Sequence, residues 1–261
     1  MNSDRAYLTV GGRRLEILRH GPPPGQAPTL VFLHEGLGCV AMWRDFPAKL
    51  AQATGWGALV YSRLGYGRSE PCTLPRPVRF MHDEAMKVLP AVLAAARVQE
   101  CVLVGHSDGG SIAIVYAGGT PAAPLRGVIT EAAHVFCEEC TLESIRRARV
   151  AYEQGDLRSK LSRFHGSNTH CAFWGWNGAW LHPDFAHWNL EEYLPAISVP
   201  MLVIQGKNDE YGTQRQVEAI ARQAGAGAQT VMMSDCGHSP HRDQEQAVLA
   251  AMHSFIKSIQ G

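Results

Sequence analysis

The sequence predicts an α/β fold in which helices flank a mostly parallel sheet of eight strands. Short apolar runs recur along the chain, and segments with a helical pattern separate several of them. Alternation at this spacing is typical of parallel strands joined by helical crossovers. One apolar run also ends in a glycine-rich turn around Ser107, after which a helical pattern begins.

The chain begins with two short strands, 7–10 and 15–19, on either side of Gly11 and Gly12, which predicts a β-hairpin. Six later runs are continuously apolar, as expected of strands buried on both faces: 29–34, 58–62, 101–105, 127–130, 201–205 and 229–233. Helices are predicted at residues 78–97, 111–117, 213–223 and 244–259. The hairpin therefore adds an antiparallel edge to the sheet.

The interval 134–195 breaks this alternation, because it contains no convincing buried strand. A helix is predicted at residues 143–154, and four of the six tryptophans follow within fifteen residues: Trp174, Trp176, Trp180 and Trp188. Clustered tryptophans pack a small helical layer or line a substrate pocket. Both interpretations are compatible with an inserted cap.

The composition is that of a globular protein with a small-molecule partner. Of the 261 residues, 46% are hydrophobic, and 24 basic residues balance 24 acidic ones, so nothing suggests nucleic acid or an anionic membrane. No apolar run approaches the roughly 18 residues of a membrane span, and the first ten residues do not resemble a signal peptide. We therefore expect a cytoplasmic protein.

The seven cysteines are scattered through a large chain, which favours free thiols over a disulfide framework. Cys137 and Cys140 form one CxxC motif without a second pair at zinc spacing, so no metal is expected. The oligomeric state is left open, with a homodimer among the options.

The turn Gly105-His-Ser-Asp-Gly109 matches G-x-S-x-G, between a buried strand and a helix. A serine on such a tight turn needs a strained backbone, and side chains two positions away on either side would collide. The glycines relieve this crowding. The turn exposes the Ser107 hydroxyl at a helix N-terminus, which favours developing negative charge.

A serine hydroxyl becomes nucleophilic when a base takes its proton and a third group orients that base. Asp209 and His238 each follow a predicted strand, as Ser107 does. All three residues are therefore expected at the carboxyl ends of strands, along one edge of the sheet. Ligands bind at this edge of an open parallel sheet. The chain order of the three groups is Ser, Asp, His.

At these residues the chain resembles the α/β-hydrolase fold family. The matching segments are His34-Glu-Gly-Leu-Gly38, Tyr61-Ser-Arg-Leu-Gly-Tyr-Gly-Arg-Ser69, the turn around Ser107, Val199-Pro-Met-Leu-Val-Ile-Gln-Gly-Lys-Asn-Asp209 and Cys236-Gly-His238. The resemblance implies a core domain formed by residues 1–133 and 196–261, with a helical cap at 134–195 between strands 6 and 7. It also implies Ser107 as nucleophile, His238 as base and Asp209 as acid.

Two competing assignments remain open at this stage. His241 lies three residues beyond His238, and Glu131 follows the strand 127–130, where some members of the family carry their acid. Glu131 is otherwise expected to line the substrate pocket or to bond to a nearby loop. His34 and His106 are expected to hold loops.

The segment His34-Glu-Gly-Leu-Gly38 departs from the family pattern, because Glu35 occupies the usual position of a glycine. A carboxylate that faced a developing oxyanion would oppose catalysis. We therefore expect Glu35 to pair with Arg63 and brace the two loops. The oxyanion hole is expected to consist of the backbone N–H groups of Gly36 and Asp108.

These features predict a serine hydrolase that cleaves a small, aromatic or apolar carboxylic ester without a cofactor. Trp174, Trp176 and Trp180 are candidate substrate-binding residues. The alternatives are an acyl-CoA thioesterase, with CoA phosphates held by the basic run at 146–149, a lactonase and a carbon-carbon bond hydrolase. A non-catalytic ligand receptor on the same fold is a further alternative.

Overall fold

The computed structural model describes residues 6–119, 121 and 123–260, so the first five residues, considered above for a targeting signal, lie outside it. Its sheet contains β1 (Ala6–Val10), β2 (Arg13–His20), β3 (Thr29–Leu33), β4 (Gly57–Tyr61), β5 (Cys101–His106), β6 (Leu125–Glu131), β7 (Met201–Gly206) and β8 (Ala228–Met233). These eight elements agree with the predicted strands to within a few residues at each end.

The strands are arranged in the order β1-β2-β4-β3-β5-β6-β7-β8. The hairpin β1–β2 is antiparallel and β2 pairs antiparallel with β4, whereas all later pairs are parallel. The fold class predicted from the sequence is therefore confirmed. Because the parallel strands run in one direction, β5, β7 and β8 direct the residues that follow them to the same edge of the sheet.

Helices cover both faces of the sheet: α1 (Phe46–Thr54), α2 (Phe80–Asp83), α3 (Leu89–Ala95), α4 (Asp108–Gly118), α5 (Glu139–Gln154), α6 (Leu157–His165), α7 (Thr169–Trp180), α8 (Gln214–Gln223), α9 (Pro240–Asp243) and α10 (Glu245–Ser258). Strands β3, β4, β5 and β7 are buried along their whole length. Two apolar clusters, one on each side of the sheet, form the core.

The helix predicted at 78–97 is interrupted, because a π-helical turn at Glu84–Val88 separates α2 from α3. Pro90 follows this turn. Proline lacks an N–H group, and its ring collides with the carbonyl group of the residue four positions earlier in a regular α-helix. A wider turn before the proline relieves that collision.

The expectation that 229–233 is buried on both faces is wrong. This segment belongs to β8, which lies at the sheet edge beside β7 alone, and Gln229 and Thr230 are exposed. An edge strand has a neighbour on only one side, so burial on both faces is not required there.

The interval 134–195, predicted as a cap, contains α5, α6 and α7 and lies between β6 and β7. The helix predicted at 143–154 begins earlier, at Glu139. Most of the clustered aromatic side chains are buried against one another: the ring centroids of Trp180 and Trp188 lie 5.5 Å apart, and those of Phe185 and Trp188 lie 5.1 Å apart. Packing therefore explains much of the aromatic enrichment.

Candidate active site

Ser107 occupies the sharp turn between β5 and α4. Its backbone has φ 53° and ψ −119°, which a residue with a side chain adopts only under strain. A Cβ atom on Gly105 would overlap the carbonyl group of Gly109, and one on Gly109 would overlap that of Leu33. Glycine is therefore required at both positions, as the sequence predicts.

A chain of hydrogen bonds connects three of the predicted site residues. The Ser107 hydroxyl and Nε2 of His238 are 2.9 Å apart, and Nδ1 of His238 lies 2.8 Å from Oδ1 of Asp209. The same Oδ1 atom accepts the N–H of Tyr211 at 2.8 Å. Each side chain follows a different strand, so the sheet brings together hydrogen-bonded groups that are 131 and 29 residues apart in sequence.

The environment of Asp209 favours its charged form. Burial opposes a negative charge there, but the charge and hydrogen bond of His238 and the N–H of Tyr211 outweigh that effect and hold the pKa of Asp209 below its usual value. A buried carboxylate of this kind fixes the orientation and tautomer of the imidazole, with Nδ1–H as donor and Nε2 as acceptor.

Glu131, the rival acid, faces a different histidine. Its Oε2 atom accepts the backbone N–H of His241 at 2.8 Å and lies 3.0 Å from Nδ1 of that residue. Both side chains are buried, and the His241 ring packs on Trp43 with centroids 4.6 Å apart. Glu131 and His241 thus form a separate buried pair. The expectation that Glu131 lines the substrate cavity is wrong, because it bonds instead to the backbone of a neighbouring segment at His241.

The expected ion pair between Glu35 and Arg63 is wrong. The Arg63 guanidinium instead donates to the backbone carbonyl oxygens of His34 at 2.5 Å and Glu35 at 2.9 Å. The Glu35 carboxylate lies beneath Gly38, with Oε2 at 3.5 Å from Nδ1 of His106. Arg63 therefore braces the two loops through the backbone, and Glu35 is free to pair with an imidazole.

His34 and His106 hold loops, as predicted. Nδ1 of His34 bonds to the carbonyl oxygen of Glu35 at 2.7 Å, and Nε2 accepts the N–H of Arg63 at 3.1 Å. Nε2 of His106 donates to the carbonyl oxygen of His238 at 2.6 Å. His106 thus contacts the backbone of the residue whose side chain contacts Ser107.

A cavity of about 90 Å³ opens beside the Ser107 hydroxyl. Gly36 and Asp108, the predicted oxyanion-hole residues, both line it. Asp108 is the first residue of α4, whose leading N–H groups have no partner within the helix. The Trp176 ring packs directly on Gly36, where a Cβ atom would overlap it.

Two of the three predicted substrate-binding tryptophans, Trp176 and Trp180, line this cavity, whereas Trp174 does not. Residues 176 and 180 are four positions apart and so share one face of α7, whereas residue 174 points elsewhere. Trp174 packs instead on Arg149, whose guanidinium carbon is 5.2 Å from the ring centroid. Sequence reasoning did not single out five other lining residues: Leu37, His134, Thr141, Ile145 and Tyr211.

Position along the chain could have identified two of these five residues. Tyr211 follows Asp209 within one loop, and His134 follows β6 at the same edge of the sheet. His134 is buried, which lowers its pKa to about 4, and it contacts the Tyr211 carbonyl oxygen at 3.0 Å. A neutral imidazole therefore forms part of the cavity wall.

The side chain of Asp108 is buried at the cavity wall. Its Oδ1 atom accepts the indole N–H of Trp180 at 3.1 Å. Burial raises the pKa of Asp108, against the opposing effects of the Arg63 charge and the Trp180 hydrogen bond. The contact ties the first turn of α4 to α7.

Within residues 6–119, 121 and 123–260, no three His, Cys, Asp or Glu side chains are grouped as a metal site would require. In the same part of the chain, no helix has the length and apolar character needed to cross a membrane.

One curated protein matches part of this chain in sequence. The curated sn-1-specific diacylglycerol lipase ABHD11 of Danio rerio is 29% identical over 107 residues, which is 41% of this chain and 32% of that protein. The chain thus matches about a third of the length of that relative.

Solved structures match over nearly the whole chain. The crystal structure of VinJ is 21% identical, with a TM-score of 0.76 over 99% of this chain and 100% of that one. The enol-lactonase from Burkholderia xenovorans is 21% identical, with a TM-score of 0.76 over 97% of this chain and 100% of that one. At this identity the likeness concerns the fold alone.

The family model described as "Alpha/beta hydrolase family" matches residues 30–251, which include β4 to β8, all of β3 except its first residue, and all three residues of the hydrogen-bonded chain. This protein therefore belongs to the alpha/beta hydrolase family.

Proposed function

We propose that this protein is a serine hydrolase of carboxylic esters, with Ser107 as nucleophile, His238 as general base and Asp209 as the orienting acid. The observation that carries the proposal is the unbroken hydrogen-bonded chain from Asp209 through His238 to the Ser107 hydroxyl. Such an arrangement activates a serine that is otherwise a weak nucleophile. The strained turn that presents Ser107 beside a cavity further supports this role.

The reaction would proceed in two halves. In the first, His238 takes the Ser107 proton as the serine oxygen attacks the ester carbonyl, and the protonated imidazole then returns that proton to the leaving alcohol. In the second, His238 activates a water that cleaves the acyl-enzyme. The N–H groups of Gly36 and Asp108 are the proposed donors to the oxyanion.

The proposed substrate has a short acyl group or a small alcohol. The cavity of about 90 Å³ is smaller than the roughly 300 to 1,000 Å³ of drug-sized ligand sites. Residues 134–195 are the proposed cap, since Thr141, Ile145, Trp176 and Trp180 of this interval close the space over Ser107. The mostly apolar wall favours an uncharged acyl group.

The test measures p-nitrophenol release from acetate, butyrate and octanoate esters by the native protein and by Ser107→Ala. We expect turnover that falls by at least about 10³-fold in the variant, because the nucleophile is lost. Equal turnover by both proteins would contradict the proposal. Absence of turnover on a broad ester panel, together with tight binding of a small molecule, would instead support a non-catalytic receptor.

The ion pairs on α5 weaken the case for an acyl-CoA thioesterase. Arg146 pairs with Glu139 at 2.6 Å, Arg147 with Glu143 at 3.2 Å and Arg149 with Glu153 at 3.1 Å, all on exposed side chains. These arginines thus have carboxylate partners on a solvated helix face. Hydrolysis of benzoyl-CoA that is lost in a triple alanine variant at 146, 147 and 149 would restore that alternative.

A further inference from the structure

Two thiols lie against each other between the loop that follows β4 and helix α7. Sγ of Cys72 is 2.7 Å from Sγ of Cys171, and both cysteines are free thiols. A covalent S–S bond is about 2.0 Å long, so the sulfurs need to approach by less than an ångström. The two cysteines are 99 positions apart in sequence, so tertiary structure alone brings them together.

The surroundings of the pair favour a thiolate on Cys171. Its sulfur accepts the backbone N–H of Cys72 at 3.4 Å. The Cys72 thiol, this N–H group and the positive charge of Arg76 lower the pKa of Cys171, although burial opposes the effect. A Cβ atom on Gly65 would lie 2.6 Å and 2.7 Å from the two sulfurs and 3.2 Å from Nη2 of Arg76. The guanidinium is therefore next to the thiols.

Arg76 is held in this position by its own contacts. Its Nη1 atom is 3.8 Å from Oε1 of Glu84, and both side chains are more than nine-tenths buried. The guanidinium also donates a hydrogen bond to the backbone carbonyl oxygen of Leu64. A cation fixed beside a thiol increases the thiolate fraction, and the thiolate is the form that attacks oxidants.

The pair is also accessible on one side. Cys72 is half-buried, whereas Cys171 is 8% exposed. Cys39, Cys101 and Cys236 are buried, and burial raises the pKa of each of these three thiols. Cys137 and Cys140 are half-buried like Cys72, but burial raises the pKa of both of these thiols as well. Reaction with a small oxidant should therefore be selective for the Cys72/Cys171 pair.

We propose that Cys72 and Cys171 are a redox modification site that peroxide converts into a reversible disulfide between the core and α7. The Cys171 thiolate attacks hydrogen peroxide, the O–O bond breaks, and a sulfenic acid forms with release of hydroxide. Cys72 then attacks that sulfur, the S–O bond breaks, and water leaves. In total, two thiols and one peroxide give one disulfide and two waters, and a dithiol reverses the change.

The disulfide fixes the helix that forms part of the cavity wall. Trp176 and Trp180 of α7 line the space beside Ser107, and α7 also carries Cys171. Oxidation therefore ties this wall to the core loop at Cys72. This consequence concerns the mobility of α7, so it can be tested without any assumption about the reaction.

The experiment treats the full-length protein with increasing hydrogen peroxide at neutral pH, then alkylates the remaining thiols in denaturant and maps the peptides by mass spectrometry. We expect a cross-linked peptide that contains Cys72 and Cys171, an intact mass lower by two hydrogens, and two fewer alkylated thiols of the seven. Dithiothreitol should restore all of them. Cys72→Ser and Cys171→Ala should lose the cross-link, whereas the matched control Cys140→Ser should keep it.

Alkylation of both cysteines at peroxide concentrations that oxidise other thiols would overturn the proposal, as would a cross-link between a different pair. These results come from the unsubstituted chain, so they do not depend on how the variants fold. Hydrogen exchange of the α7 amides provides the second readout. Slower exchange after oxidation is expected, and an unchanged rate in cross-linked protein would overturn the proposed restraint of α7.

Discussion

The Oε2 atom of Glu35 lies 3.5 Å from Nδ1 of His106, and Nε2 of His106 donates to the carbonyl oxygen of His238 at 2.6 Å. The glutamate that replaces the usual glycine of the first loop is thus connected, through one buried imidazole, to the backbone of the proposed catalytic base. Burial opposes charge on His106, but Glu35 and Glu131 outweigh it and raise the pKa of His106 to about 9.

The first prediction concerns stability against pH. The folded pKa of His106 lies above its ordinary value of about 6.5, so its stabilising effect is complete below pH 6.5 and is lost as the pH rises toward 9. We expect the free energy of unfolding to fall over this range by up to about 3 kcal/mol from this group. Glu35→Gln should flatten the slope.

Urea unfolding between pH 6.5 and 8 measures this slope before most cysteine thiols titrate. Glu70→Gln is the matched control, because Glu70 is a carboxylate that pairs with Arg13 at 2.7 Å rather than with a histidine. If Glu35→Gln and Glu70→Gln have the same slope as the native protein, the charge on His106 does not depend on Glu35.

The second prediction distinguishes the two candidate acids. Asp209→Asn should lower kcat for a short p-nitrophenyl ester by about 10³- to 10⁴-fold, since the imidazole loses the partner that sets its tautomer. Glu131→Gln should change kcat by less than about tenfold, because Glu131 bonds to His241. Steady-state kinetics with thermal melts of each variant provide the measurement. A larger loss in Glu131→Gln at unchanged stability would reverse the assignment.

The third prediction concerns acyl-chain preference. Trp176 lines the cavity and packs on Gly36, so Trp176→Leu should enlarge the space beside Ser107. We expect the kcat/KM ratio of octanoate to acetate ester to rise severalfold. Trp174→Leu, on the same helix but outside the cavity, is the control and should leave the ratio unchanged. If the native protein and both variants have the same octanoate-to-acetate ratio of kcat/KM, the acyl group does not bind beside Trp176.

The fourth prediction tests the turn itself. Gly109→Ala introduces a Cβ atom that overlaps the Leu33 carbonyl group, and we expect a loss of several kcal/mol of stability, of the order of other severe core substitutions. Gly178→Ala is the matched control. Nothing lies within 4 Å of a Cβ atom at this helical position, so alanine should stabilise by up to about 1 kcal/mol. Similar melting temperatures for both variants would contradict this explanation.

Much of the fold was predictable because local patterns determine it. Continuous apolar runs identified β3 to β7, and the glycines around Ser107 identified the turn. The interruption at Glu84–Val88 was missed, since it depends on how a helix accommodates Pro90 against its neighbours. The exposure of β8 was missed because the sequence of one strand does not reveal which position that strand takes in the sheet.

The proposed catalytic residues were predictable one by one, and the family resemblance implied how they pair, but the residues alone left the acid open between Asp209 and Glu131. Ser107, Asp209 and His238 each follow an apolar run, and position in the chain is a local property. Whether Asp209 or Glu131 faces His238 depends on side-chain directions at the ends of β6 and β7. The partner of Glu35 was likewise unpredictable, because it depends on the conformation of the loop at residues 35–38. In the structure the Glu35 carboxylate lies against Gly38 and near His106.

The sequence by itself determined the fold class, the strained turn at Ser107 and the set of groups available at one edge of the sheet, because apolar periodicity and glycine placement act over short distances. Only the tertiary structure decided which histidine each acid contacts, which tryptophans reach the cavity and that Cys72 meets Cys171. Such contacts join residues far apart in the chain, and their geometry follows from the packing of whole helices and strands.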